Sequence, residues 1–138
     1  MEKYNLDAYD YSGYMIRAIN KVKQEICDIP LGSFKVSAKS DLREATIDML
    51  GKLRGNIWGK PADEVFDEIC KAVNGINYSA RKTVMDKLSL HSPAYVMYTI
   101  KITGKISALL DIASERFTKK TIMLATATDI PMSNFKRK

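Results

Sequence analysis

The chain has 138 residues, of which 46% are hydrophobic and 28% charged, with only 7 Gly and 4 Pro. That length matches one compact domain with a buried core, and that composition excludes a disordered, collagen-like or low-complexity chain. The formal net charge of +6 leaves a polyanionic partner open.

Residues 1–11 are rich in Tyr, Asp and Asn without a sustained period and read as a loosely held lead-in. Met15, Ile19, Val22, Ile26 and Ile29 then recur at spacings of 4, 3, 4 and 3, one face of an amphipathic helix that Pro30 and Gly32 stop. Arg17, Lys21 and Lys23 stay off that stripe. The connection LGSFKVSAK has no stable period, and its Phe34 and Val36 are expected to plug the bundle end.

Ser40 and Asp41 supply side-chain oxygens for a helix cap, followed by an inward face of Leu42, Ala45, Thr46, Met49, Leu50, Leu53 and Ile57. Trp58, the sole Trp, reads as a plug at the end of that helix. A third helix begins at Pro61, whose missing N–H is no loss in a first turn, and turns Val65, Phe66, Ile69, Cys70 and Val73 inward. After NGINYS, read as a loop, residues 80–89 form either a shorter helix or a continuation across a kink.

Val96, Tyr98, Ile100 and Ile102 alternate with other side chains as in a half-buried strand, but a helix fits the whole span better. Tyr95, Tyr98, Ile102, Ile106, Leu109, Ala113 and Phe117 recur at helical spacing, and Ser92-Pro93 is a cap followed by a first-turn proline. That predicts a last helix of roughly 25 residues, ~37 Å long. Gly104 inside it costs roughly 1 kcal/mol relative to Ala, so close approach of another backbone, in this chain or another copy, is expected there.

Cys27 and Cys70 both fall within apolar helical patterns, which predicts buried free thiols and a reducing, cytoplasmic setting. No uninterrupted apolar run occurs in the first thirty residues, so neither a signal peptide nor a membrane span is expected and the sequon Asn77-Tyr78-Ser79 is idle.

Catalytic patterns are weak. His91 is the only histidine, so no multi-histidine metal site can form and any nucleophile pair would depend on that one residue. Asp63, Glu64, Asp67 and Glu68 open a helix, where acids complement the dipole and face water. GNIWGKP has three residues between Gly55 and Gly59 where a phosphate loop needs four, and Pro61 offers no hydroxyl to a metal. No cofactor is implied.

Charge is unevenly divided: residues 1–69 hold 10 Lys/Arg against 12 Asp/Glu, a net of −2, whereas residues 70–138 hold 12 against 4, a net of +8. Cations that neutralise phosphates gain from counterion release, although a merely solvated basic surface would give the same totals. Arg81 and Lys82 precede the last helix, Lys101 and Lys105 lie four apart within it, and Arg116, Lys119 and Lys120 gather toward its end. Lys136, Arg137 and Lys138 close the chain as a basic arm.

The order of these features is a helix ending in Asp28-Ile29-Pro30, a polar connection, SDLREATIDMLGKL, two helical pieces, and a last helix with GKISALLDIA. Over residues 14–117 it resembles the four-helix-bundle family that includes proteins encoded by intervening sequences of bacterial 23S rRNA genes and the accessory variability determinant of diversity-generating retroelements. Ile29-Pro30 and the pair Gly104-Lys105 carry the likeness best. Where the family commonly carries a small residue and a tryptophan this chain has Ala108 and Leu110, and where a basic residue is common it has Leu31. The resemblance implies a non-enzymatic homopentamer that binds a reverse transcriptase and its template RNA, while the polymerase copies a repeat with errors at adenines.

The expectation is therefore an all-α, antiparallel up-down four-helix bundle, oligomeric, with a lead-in at 1–12, the bundle at 13–118 and a basic extension at 119–138. Lys101, Lys105, Arg116, Lys119 and Lys120 are the expected phosphate contacts to RNA or an RNA/DNA hybrid, with Arg81 and Lys82 in support. The alternatives are a helical protein-interaction module or regulator of a phage or mobile element that binds no nucleic acid, and a small hydrolase built on His91.

Overall fold

The computed structural model describes residues 2–86 and 93–127, with side chains described over 9–82 and 93–118. Four helices and no strand occur among the described residues: α1 (Glu2–Cys27), α2 (Val36–Ile57), α3 (Ala62–Asp86) and α4 (Pro93–Ala127). Each helix packs mainly on two neighbours, α1 on α2 and α4, α3 on α2 and α4, so that α1 and α3 lie diagonally across the core.

Helical spacing puts one stripe of each helix inward. Met15, Ile19 and Ile26 of α1 meet Leu50 and Ile57 of α2, Val65 and Ile69 of α3, and Ile102, Ile106 and Leu109 of α4 in one apolar cluster, all of them fully buried. Each such side chain contributes roughly 1.5–3 kcal/mol relative to exposure. Polar ties fix the register: Gly59 meets Ser12, Arg54 meets Asn20 and Arg43 meets Ile29, so positions rise along α1 as they fall along α2.

Several local expectations change. Residues 2–11 are helical, not a loose lead-in, because Tyr11 continues the Met15 stripe, is fully buried and donates a hydrogen bond to the Ala113 carbonyl at 2.9 Å. α2 starts one turn earlier than Ser40-Asp41, after Lys35 in the left-handed region at φ 52°, without a side-chain cap. Phe34 and Val36 do not plug the core: they are 67% and 43% exposed. NGINYS is not a loop, since Val73, Ile76, Asn77 and Ala80 keep the buried stripe running and α3 continues to Asp86. Pro61 precedes that helix, its carbonyl accepting the first-turn N–H of Val65 at 3.0 Å.

Pro93 does open α4, which runs 35 residues. Tyr98 and Ile102 are buried while Ile100 is 55% exposed, so helical rather than alternating burial decides this span. Lys87, His91, Ser92 and the basic residues 136–138 lie outside the described residues.

Candidate nucleic-acid interface

α4 supplies the first edge of the site. Lys101, Lys105 and Arg116 are separated by four and eleven residues, close to one and three full turns, and so share a side of the helix. That side faces α1. Lys101 and Lys105 line a shallow depression of about 310 Å³ with Glu25, Asp28, Ile29 and Pro30. The Lys105 ammonium is 3.3 Å from the Glu25 carboxylate, and Arg116 is 3.8 Å from Asp10 while lying 4.5 Å over the Tyr14 ring. Both ion pairs are well hydrated, with 37–50% of each side chain exposed. Lys101 makes no ion pair among the described residues.

Sequence reasoning missed the facing edge. Arg17 and Lys21, one turn apart on α1, line a second depression of about 220 Å³ with Tyr14, Ala18 and Ile112 of the same α1/α4 seam. Together with Lys101, Lys105 and Arg116 of α4 they give the seam five cationic side chains against the carboxylates of Asp10, Glu25 and Asp28. The signal was in the sequence, since Arg17 and Lys21 sit four apart off the apolar stripe, but the summed charge of residues 1–69 hid it.

Arg81 and Lys82 do not join this seam. Both are exposed on α3, diagonal to α1. Lys119 and Lys120 lie on α4, and their side chains are outside the described residues.

Two further cations point inward instead. Lys39, only 4% exposed, donates to the Leu31 carbonyl at 2.6 Å and lies 5.9 Å from the Tyr98 ring centroid. Arg43 donates to the Ile29 carbonyl and, at 3.0 Å, to the Tyr98 hydroxyl. These side chains satisfy carbonyls just beyond the end of α1, where cations also complement the helix dipole, and they tie the α1–α2 connection to α4.

Gly104 does not serve close packing within the chain: it is exposed, and a Cβ built there would meet nothing within 4 Å. Cys27 is exposed rather than buried, and Cys70 is half-buried, its thiol pushed up by burial and then by Asp67. Trp58 is likewise no plug, at 60% exposed. Among the described residues no group of three or more His, Cys, Asp or Glu could hold a metal, and no helix is long and apolar enough to cross a membrane.

No protein family, no curated protein and no solved structure matches the chain.

Proposed function

We propose that the protein is a non-enzymatic nucleic-acid-binding subunit that holds RNA, or an RNA/DNA hybrid, by its phosphates along the α1/α4 seam. The supporting observation is the row formed by Lys101, Lys105 and Arg116 on one side of α4, faced by Arg17 and Lys21 of α1. Hydrated ion pairs such as Lys105–Glu25 and Arg116–Asp10 are worth roughly 0–1 kcal/mol, so a phosphate displaces the carboxylate at little cost. Phosphate contacts give affinity with little sequence preference. Lys119 and Lys120 extend the row by sequence, and Arg81 with Lys82 form a separate, weaker contact on α3.

The opposed order of the α1–α2 ties supports an antiparallel up-down bundle. By the family likeness, the assembly is a homopentamer and the partner a reverse transcriptase engaged with its template RNA. Filter binding of a structured RNA tests the proposal. Replacing Lys101, Lys105 and Arg116 together by Gln is expected to weaken binding at least tenfold, and unchanged affinity in a folded triple variant would refute it. The competing reading, a protein-interaction module, predicts capture of a partner that survives nuclease treatment.

A further inference from the structure

Trp58 is the chain's single tryptophan and stands 60% exposed. Leaving an indole in water forgoes a large apolar burial, and the backbone beneath it is well anchored. α2 ends at Ile57, Trp58 turns outward at φ −59°, ψ 126°, and Gly59 reverses the chain at φ +76°, a conformation that suits glycine. The Gly59 N–H donates to Oγ of the fully buried Ser12 at 3.0 Å, and the Lys60 N–H donates to the Ile57 carbonyl at 3.2 Å. Main chain on both sides of the reversal is thus tied down while the ring projects.

Tyr9, 53% exposed, meets the indole with ring centroids 5.3 Å apart and planes tilted by 57°. Its ring lies against the bare Cα of Gly59, where a Cβ would come within 3.1 Å of Tyr9 Cε1. On the other flank, a Cβ at Gly13 would be 3.7 Å from both Trp58 Cζ3 and Arg17 Nη1, so indole and guanidinium both reach the space above that glycine. Arg17 is exposed and makes no ion pair among the described residues. Arg54, one turn before Trp58, adds a second exposed guanidinium, which donates to Asn20 Oδ1 at 3.1 Å.

We propose that Trp58 and Tyr9, with Arg17 beside them, form a stacking site for an unpaired base of single-stranded nucleic acid. The site rests on the nucleic-acid reading above and adds to it a preference for unpaired segments. Every base has a π face that an exposed indole can cover, whereas bases inside a duplex already stack on one another. The phosphate next to a stacked base would meet Arg17, the residue that also lines the α1/α4 seam, giving a continuous path from aromatic platform to cationic row. An apolar protein partner would have to desolvate Arg17 and Arg54 without neutralising them; a nucleic-acid strand neutralises both.

Because Trp58 is the only tryptophan, its emission reports on this site alone. The full chain is titrated with a single-stranded RNA of about 12 nucleotides and with a duplex of equal length, following tryptophan emission and the anisotropy of a labelled strand. The expected result is quenching by the single strand with the same midpoint as the anisotropy, and little quenching by the duplex. Trp58→Phe retains affinity, while Trp58→Ala loses about tenfold or more for the single strand only. Should Trp58→Ala fail to fold by circular dichroism, Tyr9→Ala and the wild-type quenching carry the same test.

A rise in anisotropy with unchanged Trp58 emission overturns the stacking site and leaves phosphate binding standing. Absence of any anisotropy change overturns both. A blue shift of Trp58 emission on raising protein concentration without RNA assigns the surface to a second copy and overturns the proposal.

Discussion

Tyr11 couples the ends of the fold through a single proton. Its hydroxyl donates to the Ala113 carbonyl, and burial, reinforced by the Cys70 thiolate, pushes the phenol well above a tyrosine's ordinary value of about 10. The folded state therefore keeps this proton after the unfolded chain has released it, so stability is unaffected below pH ~10 and falls as pH rises beyond it. Tyr95, raised by burial, acts in the same direction. Urea unfolding followed from pH 8 to 11 is expected to show this alkaline loss, and Tyr11→Phe to make it shallower while lowering stability near pH 7 by about 1 kcal/mol. Gly59 is a second residue with a sharp expectation. At φ +76°, with Tyr9 Cε1 3.1 Å from the position of a Cβ, Gly59→Ala is expected to cost roughly 1–2 kcal/mol in the same measurement. Residue roles of this kind were the least legible part of the sequence. Lys39 and Arg43 look like solvent-facing charges, and only the fold shows their heads turned to the carbonyls of Leu31 and Ile29.

Among the elements, the stripes of α1 and α4 were legible because period and burial coincide: Met15, Ile19, Val22 and Ile26, and Tyr98, Ile102, Ile106 and Leu109, are all buried. Boundaries were harder to read. Gly75 and the polar run around it resemble a loop, yet Ile76 and Ala80 pack into the core and Asn77 donates to Ser107 of α4 at 3.0 Å, so tertiary contact overrides local propensity. The start of α2 escaped notice because Lys35, not a capping oxygen, marks it. Gly104 offers a test at this scale. With Gly104 exposed and no side chain or neighbouring helix within 4 Å of the place a methyl group would take, Gly104→Ala is expected to raise stability by about 0.5–1 kcal/mol. Destabilisation, read in urea, would mean that another copy approaches α4 there. Arg43→Ala removes the tie between the α1–α2 connection and Tyr98, and is expected to cost roughly 1–3 kcal/mol by leaving the Ile29 carbonyl without that donor.

For the molecule as a whole, charge totals singled out residues 70–138 and left out the cations that α1 brings beside them. Summing residues 1–69 to a net of −2 concealed Arg17 and Lys21, which the packing of α1 on α4 sets beside the lysines of the basic half. Conversely, Arg81 and Lys82, close to the last helix in sequence, are set apart on α3. Which charges share a surface depends on which helices adjoin, and periodicity within each helix does not encode that order. The resulting seam is cationic with three interspersed carboxylates, Asp10, Glu25 and Asp28, and its ion pairs are exposed and weak, so that in the proposed function phosphates would exchange for them.

That exchange has a thermodynamic signature in the dependence of RNA affinity on salt. Titrations of a structured RNA between about 50 and 200 mM salt are expected to give a straight line of log affinity against log salt. Five phosphate contacts, from Arg17, Lys21, Lys101, Lys105 and Arg116, would give a slope of roughly −4. Neutralising Lys101, Lys105 and Arg116 together should flatten the slope by roughly 2 to 3. A line with no slope, or one left unchanged by those substitutions, would contradict a phosphate-binding seam between α1 and α4.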